Sequence, residues 1–145
     1  RCGDPAHADA DKRGDVRGDA YGSPDGLWFD PRGLLWIQTD VSTSTLNKGD
    51  YANLGNNMML AADVATGETR RFLVGPAGCE VTGVVMTPDL TTMFVDIQHP
   101  GESPSERADP DRPKAISSWP DGPSGGRPRS ATIVVRRRDG GIVGS

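Results

Sequence analysis

Short aromatic and branched runs, each closed by turn residues, set the rhythm of the chain. Leu27–Phe29 and Leu34–Ile37 are joined by Asp-Pro-Arg-Gly, and the segment EVTGVVMTPDLTTMFVDIQ from Glu80 to Gln98 repeats that plan. Between them Met58–Asp63 and Arg70–Val74 flank a turn at Thr66-Gly67. Beyond them Val81–Thr87, Met93–Gln98 and Ala131–Arg137 read as a second series, with Pro88-Asp89 in its first turn. Strand-sized apolar runs bounded by Gly, Pro and Asp predict antiparallel hairpins.

The pattern divides the chain. Residues 1–21 carry Gly, Asp, Ala and Arg with almost no large apolar group, and predict an extended, mobile lead-in. Residues 22–145 hold the strands. A first four-stranded meander covers about 24–76, with a polar loop at 41–55, and a second covers 80–145. Pro88 follows Pro31 by 57 residues, which makes the second meander a repeat of the first. Its third strand is delayed by a Pro- and Gly-rich insertion, 99–129, expected to be a long surface loop, and only IVGS remains for its fourth strand. Four-stranded units at such a period are blades of a β-propeller. The expected fold class is therefore all-β, with about two blades of a larger propeller. A small independent β-sandwich is the alternative.

Composition narrows the function classes. With 19 Gly and 12 Pro in 145 residues, turns outweigh long helices. A net charge of −4 gives no reason to expect nucleic-acid binding, and Arg136-Arg137-Arg138 in a strand-like stretch reads as a solvated face. No apolar run approaches the ~20 residues of a membrane span. Cys2 and Cys79 are read as unpaired thiols. Zinc-finger, serine-hydrolase and P-loop patterns are absent from the sequence.

The segments GSPDGLWFDPRGLLWIQTD, GNNMMLAADVATGETRRFLVGPAGCEVTG, TPDLTTMFVDIQHPGE, SSWPD and RPRSATIVVRRRDGG occur in this order between about Ala20 and Ser145. As a set they resemble the C-terminal part of the PhoX-type alkaline phosphatases. That resemblance implies a six-bladed propeller, periplasmic or secreted through a twin-arginine signal. It further implies hydrolysis of phosphate monoesters at a Ca²⁺- and Fe³⁺-containing cluster on the propeller axis. Members of the family without a demonstrated activity leave a second reading open, a propeller scaffold or binding module whose metal is structural or absent. On the first reading the chain alone holds too few ligands to be active, and its exposed strand edges predict self-association.

Candidate ligands follow from both lines of reasoning. The first strand of a blade lines the axis, and a hard cation takes six to eight oxygen ligands. Asp25 and Glu80 each precede the first strand of a meander and are the leading metal-ligand candidates. Asp25 also suits a Pro-Asp-Gly turn. Asp40 and Asn57 can add oxygens, support the ligands through hydrogen bonds, or simply cap strand ends. Asp30 and Asp89 belong to turns, Cys79 to the interior, and His99 and Glu102 to a loop at the mouth. No residue is assigned as catalytic. Trp28, Trp36, Phe72 and Phe94 are expected to pack between the sheets.

Overall fold

The computed structural model describes residues 1–102 and 109–145. Part of the insertion, 103–108, lies outside the described residues. Among the described residues there are eight strands: β1 (Arg17–Gly18), β2 (Pro24–Phe29), β3 (Leu34–Thr39), β4 (Met58–Asp63), β5 (Glu68–Val74), β6 (Glu80–Met86), β7 (Met93–Gln98) and β8 (Ala131–Val135). The only described helices are the 3-10 turns Ala10–Lys12 and Gly49–Tyr51. None is long and apolar enough to cross a membrane. The fold is all-β, as the runs predict.

The first sheet has the order β1-β5-β4-β3-β2 and the second the order β6-β7-β8. All neighbours are antiparallel except β1, which runs parallel to β5. The β2–β3 turn is held by Asp30, whose carboxylate accepts from the backbone N–H of Arg32 at 2.8 Å and of Leu34 at 3.2 Å. Gly33 completes it at φ +90°, a conformation that favours glycine. The β4–β5 turn uses the same device, with Asp63 accepting from the Ala65 N–H at 2.8 Å.

The two sheets meet face to face. Trp36, Met59, Val81, Met93, Val95 and Ile97 are buried between them, with Trp28 and Phe72 at the margin. Trp36 and Phe72 meet edge to face, 4.9 Å apart at 83°. Phe94 departs from the expectation. Alternation along β7 buries Met93, Val95 and Ile97 and turns Phe94 to the opposite face. A smaller cluster of Ile37, Met58, Leu60 and Ala62 lies on the far side of the first sheet, where Tyr21 of the lead-in packs on it.

Two further segments differ from their expected form. Residues 142–145 are not a strand. Gly140 and Gly144 take left-handed conformations, at φ +74° and +76°, and bend the segment across both sheets. Val143 is buried; its N–H donates to the Leu90 carbonyl at 3.0 Å and its carbonyl accepts from Arg32 Nη2 at 2.9 Å. The lead-in is tied along its length. Asp19 N–H donates to the Thr69 carbonyl at 2.9 Å, and buried Asp4 accepts from Asn53 Nδ2 at 2.7 Å. His7 Nε2 and Lys12 Nζ reach the two carboxylate oxygens of Asp50 at 3.0 and 2.8 Å.

Candidate metal-facing mouth

Antiparallel pairing gathers one end of each strand from β2 to β8 at a common rim. The N-terminal ends of β2, β4, β6 and β8 and the C-terminal ends of β3, β5 and β7 all open there. Asp25, Asp40, Asn57, Glu80, His99 and Glu102 therefore share that end, although they span nearly eighty positions of sequence.

Glu80 is its best-defined carboxylate. Its side chain is 12% exposed and its Oε2 lies 3.5 Å from His99 Nε2. On the other edge of the imidazole, Nδ1 lies 3.4 Å from the Gly78 carbonyl and 3.7 Å from Glu102 Oε2. Thr43, from the 41–55 loop, donates to Glu102 Oε2 at 3.3 Å. His99 thus stands between two carboxylates, Glu80 at the head of β6 and Glu102 in its own turn. Its backbone is correspondingly constrained, with φ +37°, and its N–H donates to Ser130 Oγ at 3.0 Å. The turn is closed from the other side by Gly101 N–H to the Ala77 carbonyl, at 2.8 Å.

The other predicted ligands have different surroundings. Asn57 is buried and its carboxamide is saturated. Oδ1 accepts from the Val41 N–H at 2.7 Å and the Thr39 hydroxyl at 3.1 Å, while Nδ2 donates to the carbonyls of Val41 and Cys79 at 3.0 and 2.9 Å. Asn57 is a strut that fixes Cys79, the residue preceding Glu80, against the 41–55 loop. Asp25 and Asp40 are exposed. Asp25 is also the extra residue of a β-bulge, because Pro24 pairs with Thr39 and Gly26 with Gln38. Glu80 instead pairs with Gln98 at the head of its strand, and the matching pair in the first sheet is Ser23 with Asp40. The two carboxylates share a rim but not a register position.

Among the described residues no three His, Cys, Asp or Glu side chains lie close enough together to hold a metal ion. The donor set is nonetheless oxygen-rich and suits a hard cation in kind. Glu80, Asp25 and Asp40 stand along the rim as separate carboxylates. Cys79 Sγ is not a candidate: burial pushes its thiol up to about 12, so the thiolate needed for a metal bond is not formed near neutrality. The His99 contacts with Glu80 and Glu102 and the Thr43 link were not anticipated. The first was recoverable, because the β6–β7 hairpin places residue 80 opposite 98 and hence beside 99.

The sequence model of the alkaline phosphatase PhoX family matches residues 1–101. The chain belongs to the PhoX family. The match begins within the lead-in, so that segment is part of the family's pattern. Among solved structures, PhoX of Pseudomonas fluorescens in complex with vanadate, a transition state analogue, is 46% identical, with a TM-score of 0.80. The alignment covers 99% of this chain and 23% of that one, so the chain spans about a quarter of the length of its PhoX relative. The two sheets accordingly match part of the PhoX propeller, and the sandwich alternative falls away. No curated protein sequence shows significant similarity to the chain.

Proposed function

We propose that the chain is one part of a Ca²⁺- and Fe³⁺-dependent alkaline phosphatase that hydrolyses phosphate monoesters in the periplasm or outside the cell. The observation that carries this reading is 46% identity over 99% of the chain to a PhoX structure that binds vanadate. Family membership supports the phosphatase class, and the rim supports the metal assignment, because it collects carboxylates at one end of both sheets.

In this reading Glu80 is the chain's principal ligand and Asp25 and Asp40 supply further oxygens. Bound cations would neutralise phosphoryl oxygens and activate an oxygen nucleophile. Asn57 holds the strand ends that carry Glu80, and His99 fixes the carboxylate's direction through the 3.5 Å contact. The remaining ligands belong to blades that the chain does not itself contain, so the chain alone is expected to be inactive.

The test places the chain within the full-length phosphatase and replaces Glu80 with Gln, which keeps the shape and removes the charge. Calcium content and p-nitrophenyl phosphate hydrolysis should fall together, the latter by at least about tenfold, as when a ligand or its support is lost. Full activity and unchanged metal content with Asp25, Asp40 and Glu80 all neutralised would remove the assignment. The scaffold reading would gain if the intact protein bound Ca²⁺ but hydrolysed no phosphomonoester.

A further inference from the structure

Among the described residues, four other than glycine hold a left-handed backbone, and two of them stand at the rim: Ser23 at φ +45° and His99 at φ +37°. Each immediately precedes a proline, Pro24 or Pro100, and the residue before a proline favours extended backbone. Such a conformation costs free energy and persists only where the surroundings enforce it. His99 is held by its contacts with Glu80, Glu102 and Ser130. Ser23 needs a separate cause.

That cause is Tyr51, at the end of the 3-10 turn in the 41–55 loop. Its hydroxyl lies 2.9 Å from Ser23 Oγ. Its ring rests on buried Gly22, where a Cβ would come within 2.6 Å of the ring and 2.9 Å of Leu54 Cδ1. Only glycine leaves room for that approach. Tyr51 is itself held, because its N–H donates to the Lys48 carbonyl at 2.9 Å and the adjacent Asp50 binds His7 and Lys12. The turn locked in this way carries two of the rim carboxylates. The Ser23 carbonyl accepts from the Asp40 N–H at 3.0 Å, and Asp25 follows two residues later. As the extra residue of a bulge, Asp25 has no register partner on β3, so its direction depends on the turn before it.

We propose that Tyr51 is a positioning residue for the metal-facing rim, which by locking Ser23 in its left-handed turn aims Asp25 and Asp40 together. This role rests on the reading that the rim of the intact phosphatase holds Ca²⁺. Strain kept at Ser23 then preorganises two exposed carboxylates, and relaxing it should weaken metal binding without weakening the fold.

Ser23→Gly and Tyr51→Phe, made in the full-length phosphatase, separate positioning from structural support. Glycine adopts φ +45° freely, and phenylalanine keeps the ring on Gly22 while removing the hydroxyl. With metal stripped by a chelator, each variant should melt within about 2 °C of wild type or above it. Calorimetric titration should show Ca²⁺ binding weakened about three- to tenfold, less than the roughly 10–100-fold lost with a group that bonds a ligand directly. The Asp40 amide should exchange its hydrogen faster in both metal-free variants, a readout that needs no cation. Wild-type Ca²⁺ affinity in both variants, while Glu80→Gln lowers it, overturns the positioning role and leaves the rim reading standing. So does an Asp40 amide that exchanges no faster, or an affinity that falls only in step with the melting temperature. Unchanged affinity with Asp25, Asp40 and Glu80 all neutralised removes the rim reading itself, and the role of Tyr51 with it.

Discussion

Removing the Asp30 carboxylate should destabilise this protein more than any other change at a turn. Asp30 is 4% exposed and serves five donors: the backbone N–H groups of Arg32 and Leu34, the Arg32 guanidinium through Nε at 3.1 Å and Nη2 at 2.6 Å, and Trp36 Nε1 at 3.2 Å. Burial works against its charge, but the hydrogen bonds from Arg32 and Trp36 and the Arg32 charge outweigh it and hold the carboxyl below the usual carboxylate range. In Asp30→Ala the indole N–H and the Leu34 N–H lose their partner, at about 1–3 kcal/mol for each buried donor. Arg32 is 26% exposed and can turn partly to water, so its contribution is smaller. A total of about 3–5 kcal/mol is expected, the range for breaking a buried ion pair from one side. At about 2–4 °C per kcal/mol for a domain of this size, the melting temperature should fall by roughly 10–15 °C. The sign of the pH dependence is fixed by the lowered folded pKa. The stabilisation is complete above the unfolded value of about 3.9 and is lost as pH falls through the folded value, so wild type and variant should converge in acid. Calorimetry at neutral pH and below pH 4 measures both effects. A variant that melts within about 2 °C of wild type at pH 7 would refute the reasoning, since such a shift amounts to under about 1 kcal/mol. Asp30 is thus a turn residue, as expected from its place before Pro31, and one that also ties the turn to the buried Trp36 indole.

Three other substitutions or reactions follow from the same structure. Gln38 is 2% exposed and its Nε2 has no hydrogen-bond partner among the described residues, so Gln38→Met should raise stability by about 1–2 kcal/mol in urea unfolding; a loss would reveal a buried partner for the amide. Asn57→Ala strips partners from the Val41 N–H and two carbonyls and should cost about 2–4 kcal/mol, checked by the same unfolding curve, with an unchanged midpoint counting against the strut role. Iodoacetamide at pH 8 should label Cys2, which is partly exposed, and spare buried Cys79, whose thiol is held near 12; rapid carboxymethylation of both in peptide mass spectra would contradict the burial.

Seven of the eight described strands stand where the apolar runs place them, because each buries one face and therefore alternates. Strand β1 escaped notice because Arg17-Gly18 buries nothing and pairs only through its backbone. The IVGS segment departs from the expected strand for the opposite reason. Val143 does bury, but as a single plug between sheets, and a lone apolar residue among glycines carries no periodicity. At the rim, the carboxylates were legible as residue types and their common end follows from antiparallel pairing. Their relative placement was not legible. The bulge at Asp25 inserts one residue into β2, and such an insertion shifts register without leaving a mark in the sequence. The Glu80–His99–Glu102 arrangement depends on a left-handed His99 before Pro100, a conformation that non-glycine residues seldom adopt and that composition does not announce.

The bond between Arg32 and the Val143 carbonyl joins residues 111 positions apart. During synthesis at about 5–20 residues per second, roughly 5–20 s separate the appearance of one partner from the other. Through that interval the first sheet can pair its strands, yet Trp36 still lacks Val143 and Gly144, which pack against its ring in the finished protein. The first half of the chain therefore waits with its largest buried side chain partly uncovered, and its final closure is timed by the ribosome and not by the sheet itself. Indole emission from Trp36 would record the moment at which that wait ends.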